Sequence, residues 1–176
     1  ERAIGRMTEY HEIIPVELHD VVRRKAVNVY KRLNENAMAV DHLRELYGSF
    51  LERDVHGPTL ARLCEELGRM SASLGRFEDA EQYFLTAVEE DEEATSARLG
   101  FAELYVDTER WPAALEMLEW LVDNVERIKN DRDKAQIFAL RGRAYGATNL
   151  VKQAMESYET ALTHDPHNAT AREAMT

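Results

Sequence analysis

Cysteine is almost absent. Cys64 stands alone, so no intramolecular disulfide framework is available and the chain suits a reducing compartment. No stretch approaches the roughly 18–20 consecutive apolar residues that cross a bilayer, and no signal-peptide pattern opens the chain. Membrane insertion within this sequence is therefore not expected, and the expected location is cytoplasmic. The chain begins at Glu1 and reads as a piece of a longer protein, which leaves any upstream leader or anchor open. Basic charge is also short: 22 Lys and Arg face 33 Asp and Glu, for a net charge of −11. Nucleic acid and anionic lipid need clustered cations, so neither is an expected partner. Catalytic motifs are missing too. There is no glycine-rich phosphate loop, no nucleophile elbow, and no second histidine to follow His11-Glu12 at zinc-protease spacing. The reading is of a non-enzyme, with no cofactor and no metal.

Proline is scarce at four residues, and hydrophobic content of 44% beside 31% charge fits a folded, helix-rich chain. Its excess acid lies mostly between Leu60 and Glu126. Residues 1–14 carry weak helical periodicity through Ile4, Met7, Tyr10 and Ile13–Ile14, which Pro15 breaks or restarts. From Val16 the pattern strengthens through Leu18, Val22, Ala26, Val29, Tyr30 and Leu33, the mark of one buried helical face. Asn34–Asn36 reads as a turn. A second helix follows through Leu43, Leu46, Tyr47, Phe50 and Leu51 to Asp54, and His56-Gly57-Pro58 closes it. The basic run Arg23-Arg24-Lys25 reads as a solvated face, with a docking patch for an acidic partner as the sharper alternative.

The stretch Leu67–Glu90 then sets the pattern for the rest. Two helices, from Thr59 as cap to Ser73 and from Phe77 to Asp91, meet at a turn supplied by Gly75. Gly68, Ala80 and Ala87 stand at the helix crossing, with Leu67, Phe77 and Phe84 between them. A step of about 34 residues lays Ala102 on Gly68, Trp111 on Phe77, Ala114 on Ala80 and Leu118 on Phe84. A second, longer step lays Gly142, Tyr145, Ala154, Tyr158 and Ala161 on Ala102, Tyr105, Ala114, Leu118 and Leu121, with Pro166 after the last helix.

This alternation of small and aromatic positions resembles the tetratricopeptide repeat family. The resemblance implies an all-α fold, a right-handed superhelix of antiparallel helix-turn-helix repeats. Three units are assigned, 61–94, 95–128 and 135–168, within a domain spanning 59–168. Residues 1–58 form N-terminal helices, a degenerate repeat or a cap, and residues 169–176 begin a capping helix or a fourth unit. Departures are expected to matter locally. Cys64, Arg98 and Phe138 stand where the family often has tryptophan, and Leu121 replaces a small residue. The extra residues Lys129–Lys134 follow a second helix expected to extend toward the Asn130-Asp131 break.

The resemblance also implies that the first helix of each unit lines a concave groove. Helical phase then selects Arg62, Glu65, Arg69 and Ser73 from the first unit, Ser96, Leu99, Glu103 and Val106 from the second, and Gln136, Ala139 and Arg143 from the third. The implied function is a non-catalytic interaction module that binds a peptide or helix of another protein. Alternatives are a self-associating segment of a longer solenoid, or a regulatory domain of a multidomain enzyme. The positions that form the carboxylate clamp of chaperone-binding relatives hold Glu65, Gly100, Gln136 and Leu140, so a chaperone's acidic C-terminus is not an expected ligand. His164-Asp165-Pro166-His167 brackets a turn rather than one helix face, Cys64 takes a core-facing phase, and Trp111 and Trp120 read as packing residues.

Overall fold

A computed structural model describes residues 18–176, and the weak helical periodicity of residues 1–14 and its break at Pro15 lie outside that range. Among the described residues there are nine α-helices: α1 His19–Arg32, α2 Asn36–Glu52, α3 Pro58–Ser73, α4 Phe77–Glu90, α5 Thr95–Asp107, α6 Trp111–Asp123, α7 Asp131–Ala147, α8 Val151–His164 and the short α9 Ala169–Ala174. They pair as α1/α2, α3/α4, α5/α6 and α7/α8, and each pair packs on the next. The architecture is an all-α solenoid of antiparallel helix-turn-helix repeats.

All four hairpins turn in the same way. The second residue after each first helix takes a left-handed conformation: Asn34 (φ 60°), Gly75 (φ 72°), Glu109 (φ 57°) and Asn149 (φ 67°). The next residue then donates its N–H back to the last turn: Glu35 to Tyr30, Arg76 to Ser71, Arg110 to Tyr105 and Leu150 to Tyr145, at 2.8–2.9 Å. This is the six-to-one closure of a Schellman turn, which satisfies carbonyls the helix leaves open. Glycine and asparagine accept this backbone cheaply. Glu109 does so at a cost of about 1 kcal/mol.

The turn fixes where side chains meet. The first buried residue after each one is an alanine (Ala39, Ala80, Ala114, Ala154), followed about one helical turn later by Leu43, Phe84, Leu118 or Tyr158. Phe84 shows how units join. A Cβ added to Gly68, in its own hairpin, would lie 2.8 Å from its ring, and one added to Gly100, in the next, 2.7 Å. One ring thus fills the space that two glycines leave, which lets helix backbones approach closely. Gly142 and Tyr158 repeat the contact within the last hairpin. Phe77, expected in the same crossing, is 43% exposed at the start of α4.

Two helix ends differ from expectation. The N-cap of α3 is Gly57 (φ 71°) with Pro58 in the first turn, so Thr59 lies inside the helix and caps nothing. Proline at that place loses no hydrogen bond, because the first N–H groups have no helical acceptor. The second helix of the middle hairpin does not extend: α6 stops at Asp123 and Val125–Arg127 form a 3-10 turn. The Asn124 amide donates to the Trp120 carbonyl at 2.8 Å, Ile128 is buried, and the Asn130 side chain caps α7 by accepting from the Arg132 N–H at 3.0 Å.

Candidate functional site on the first-helix face

Helices α3, α5 and α7 lie side by side, so their outward stripes merge into one surface. Arg69 sits at its centre. Its Nε donates to Glu65 Oε1 (3.2 Å), one terminal nitrogen to Glu103 Oε2 (3.0 Å) and the other to the Ser96 carbonyl (2.8 Å). Ser96 Oγ donates to Glu65 Oε2 (2.7 Å), and Gln136 Nε2 reaches Glu103 Oε1 at 3.5 Å. Five residues selected from sequence, on three helices, therefore form one connected network. The planar guanidinium suits this task, since its donors are fixed in a fork.

Two depressions flank Arg69 and Glu103. The larger, about 410 Å³, is bounded by the network together with Leu99, Arg132 and Asp133. The smaller, about 240 Å³, is lined by Ala72, Ser73, Phe77, Phe84, Gly100, Leu104 and Asp107 in addition to those two. Arg143 stands beyond, 3.6 Å from Asp107. Burial pushes the Glu103 carboxyl above the ordinary range; Arg69 and Gln136 oppose this, and the charge of Asp107 adds to it.

Not every selected residue faces outward. Val106 is fully buried and Ala139 is 1% exposed, so neither belongs to the surface; Leu99, at 7%, is a floor residue. The cause is helical geometry. Three residues fall about 60° short of a full turn and four overshoot by about 40°. From Glu103, the three-residue step to Val106 rotates into the core, whereas the four-residue step to Asp107 stays on the face. Asp107, Arg132, Asp133 and Phe77 are the surface residues that phase counting missed, and the four-residue step would have found the first. Arg62 is exposed but borders neither depression, and among the described residues it has no ion-pair partner. Ser73 lines the smaller depression and donates to the Met70 carbonyl at 2.7 Å.

The other candidates resolve into structure. The Cys64 thiol is fully buried, and burial pushes its pKa up to about 12, with the charge of Glu90 adding. A thiol so placed is a poor nucleophile at neutral pH. His164 stacks on Phe138 with ring centroids 5.7 Å apart, while His167 is exposed. Arg23 pairs with Asp20 and Glu45, and Arg24 with Glu66, so the basic run on α1 is largely neutralised within the fold. Trp120 packs beneath Arg98, whose guanidinium lies 4.0 Å from the ring centre. At the clamp positions, Glu65 and Gln136 are tied into the network, Gly100 lies under Phe84, and Leu140 is buried.

Comparison with known proteins agrees with the helical-repeat fold. A tetratricopeptide repeat model matches residues 71–143, and a second model of the same repeat matches residues 135–168. No curated protein matches the sequence. Among solved structures, YrrB, described as a tetratricopeptide repeat protein with an unusual peptide-binding site, is 21% identical (TM-score 0.71, covering 89% of this chain and 74% of that one). MamA of Desulfovibrio magneticus RS-1 is 18% identical (TM-score 0.72, covering 87% and 79%). The second repeat domain of human RPAP3, solved with an HSP70 peptide, is 19% identical (TM-score 0.58, covering 68% and 95%). At these identities the likeness is one of fold.

Proposed function

The chain belongs to the tetratricopeptide repeat family, and from that premise we propose that it is a non-catalytic interaction module that holds a segment of a partner protein on its first-helix face. The reading assigns units 61–94, 95–128 and 135–168, with α1/α2 as a degenerate fourth unit. The shared left-handed turn at Asn34 favours a degenerate unit over a simple cap. The observation that carries the function is the surface itself. Three adjacent first helices offer a continuous polar network flanked by two open depressions, with side chains already ordered by their own hydrogen bonds. Ordering in advance lowers the entropic cost of binding an extended segment. That YrrB and RPAP3 are described with peptides supports the same assignment by analogy of fold.

Affinity capture from cell extract with the wild type and with Arg69→Ala, Glu103→Ala and Arg143→Ala tests the reading. Altered capture by these variants supports it. Unchanged capture by all three would sink the face assignment. The clamp positions here are unsuited to a carboxylate, so a chaperone's acidic C-terminal peptide is expected to bind only weakly, and sub-micromolar affinity in a titration would overturn that expectation.

Self-association is the second reading. At the start of α8, Leu150, Val151 and Met155 are 40%, 62% and 39% exposed, a cluster of large apolar side chains open to a second copy of the chain. A concentration-independent monomer mass in light scattering would remove it.

A further inference from the structure

Building on the interaction reading above, we propose that the smaller depression takes a lysine or arginine side chain of an extended partner segment. Its volume of about 240 Å³ is below the ~300–1,000 Å³ of small-molecule sites and fits a single side chain. The walls suit a long aliphatic stem: Ala72, Leu104 and the edge of Phe84, whose ring covers Gly100, are apolar. Basic side chains lay such stems along apolar surface while keeping the charge at the tip. Phe77 supplies an aromatic wall that is 43% exposed, and cations rest favourably on such ring faces.

The charge at the mouth selects the same partner. Glu103 and Asp107 both border the depression, and among the described residues Arg69 is the only cation lining it. Arg69 already divides its donors among Glu65, Glu103 and the Ser96 carbonyl, so it neutralises Glu103 only in part. An incoming ammonium or guanidinium relieves the repulsion between the two carboxylates. An acidic side chain meets both of them, and an apolar one desolvates Glu103 further without compensation. The net charge of −11 also favours encounter with a basic segment. Arg143 is then a placeholder. It reaches Asp107 at only 3.6 Å, and both side chains are well exposed, so a partner's cation displaces it at little cost.

Panning a phage-displayed library of random peptides against the whole chain, followed by fluorescence anisotropy of the enriched peptides, tests this. The expected result is a shared Lys or Arg in those peptides. Asp107→Asn and Phe77→Ala should each weaken binding about 2- to 5-fold. Arg143→Gln should strengthen it, and affinity should fall as salt rises. Ser73→Trp, which fills the mouth from an exposed position, should abolish binding. Enriched peptides that lack a basic residue but are still blocked by Ser73→Trp would overturn this proposal and leave the face assignment standing. Basic peptides indifferent to Asp107→Asn would do the same. If no peptide is enriched, or if none is affected by Ser73→Trp or by the three alanine variants above, both readings fall.

Discussion

The first junction of the stack, where α1/α2 meets α3/α4, and the second, where α3/α4 meets α5/α6, join similar hairpins by different means. The second brings α3 and α5 directly together, with the Phe84 ring against Gly68 and Gly100 and the Arg69 network across its surface. The first is bridged at its surface by long charged side chains. Glu66 on α3 receives Arg24 and Lys31 from α1, Arg44 on α2 reaches Asp79 and Tyr83 on α4, and the loop before α3 is held where Glu90 accepts from the Gly57 N–H at 2.7 Å and faces His56 at 2.9 Å. Burial pushes the Glu66 carboxyl up, but Lys31 and Arg24 together outweigh it and hold the group below the ordinary range. Beneath these charges the first junction has its own buried core of Tyr30, Val40, Leu43, Leu60, Leu63 and Leu67. The same repeat therefore joins hairpins by a ring shared between two glycines at one junction, and by a branched aliphatic core under long charged side chains at the other.

The largest expected effect lies at the packed junction. Phe84→Ala removes a ring shared by two hairpins and should cost about 3–5 kcal/mol by thermal or denaturant unfolding. A loss under 1 kcal/mol would mean that the glycines and not the ring set the approach. Gly100→Ala comes next, at about 1–3 kcal/mol from overpacking, because the new Cβ falls 2.7 Å from the Phe84 ring. Adding Phe84→Leu should recover part of that loss, and a strictly additive double variant would dissolve the proposed contact. At the charged junction, Glu66→Gln should cost less than about 1 kcal/mol, because both cations are largely exposed, and the difference should shrink in high salt.

The smallest effect concerns pH. Hydrogen bonds to Glu90 and then Asp54 hold His56 above its ordinary range, while His56 and then the Gly57 N–H hold Glu90 below its own. The His56 contribution is complete below its unfolded pKa of about 6.5 and is lost as pH rises through the raised value. The Glu90 contribution is present above its unfolded value near 4.3 and is lost as pH falls through the lowered one. The gap in Tm between wild type and His56→Ala should thus be widest between about pH 4.5 and 6.5. An equal gap at pH 5.5 and pH 9 would remove His56 from the junction.

Most of the fold was legible because its determinants are local and periodic. Small residues at Gly68, Ala80, Ala114, Gly142 and Ala154 mark crossings in the sequence as clearly as in space. The face was legible in outline, since five of its residues follow from phase once the family resemblance points to the first helices. One step was miscounted: Val106 and Asp107 are adjacent, and the four-residue step from Glu103 to the charged Asp107 is the one that keeps to the face. Phase could not show that Arg69 turns its donors inward, because Glu103 and the Ser96 carbonyl come within reach only when α5 packs beside α3. The end of α6 escaped for a related reason: Val125 and Ile128 continue an apolar pattern that a 3-10 turn serves as well as an α-helix.

Irregular lengths in the chain fall at one kind of place. Within each hairpin the left-handed turn is short and repeated, whereas Arg53–Gly57 and Asn124–Asn130 lie where one hairpin hands over to the next. Insertions there lengthen a hand-over without shifting the turn that sets side-chain register. Lys129, exposed in the second of these segments, is accordingly a natural grafting point for a tag, a fluorophore or a surface tether that leaves the hairpin turns in register.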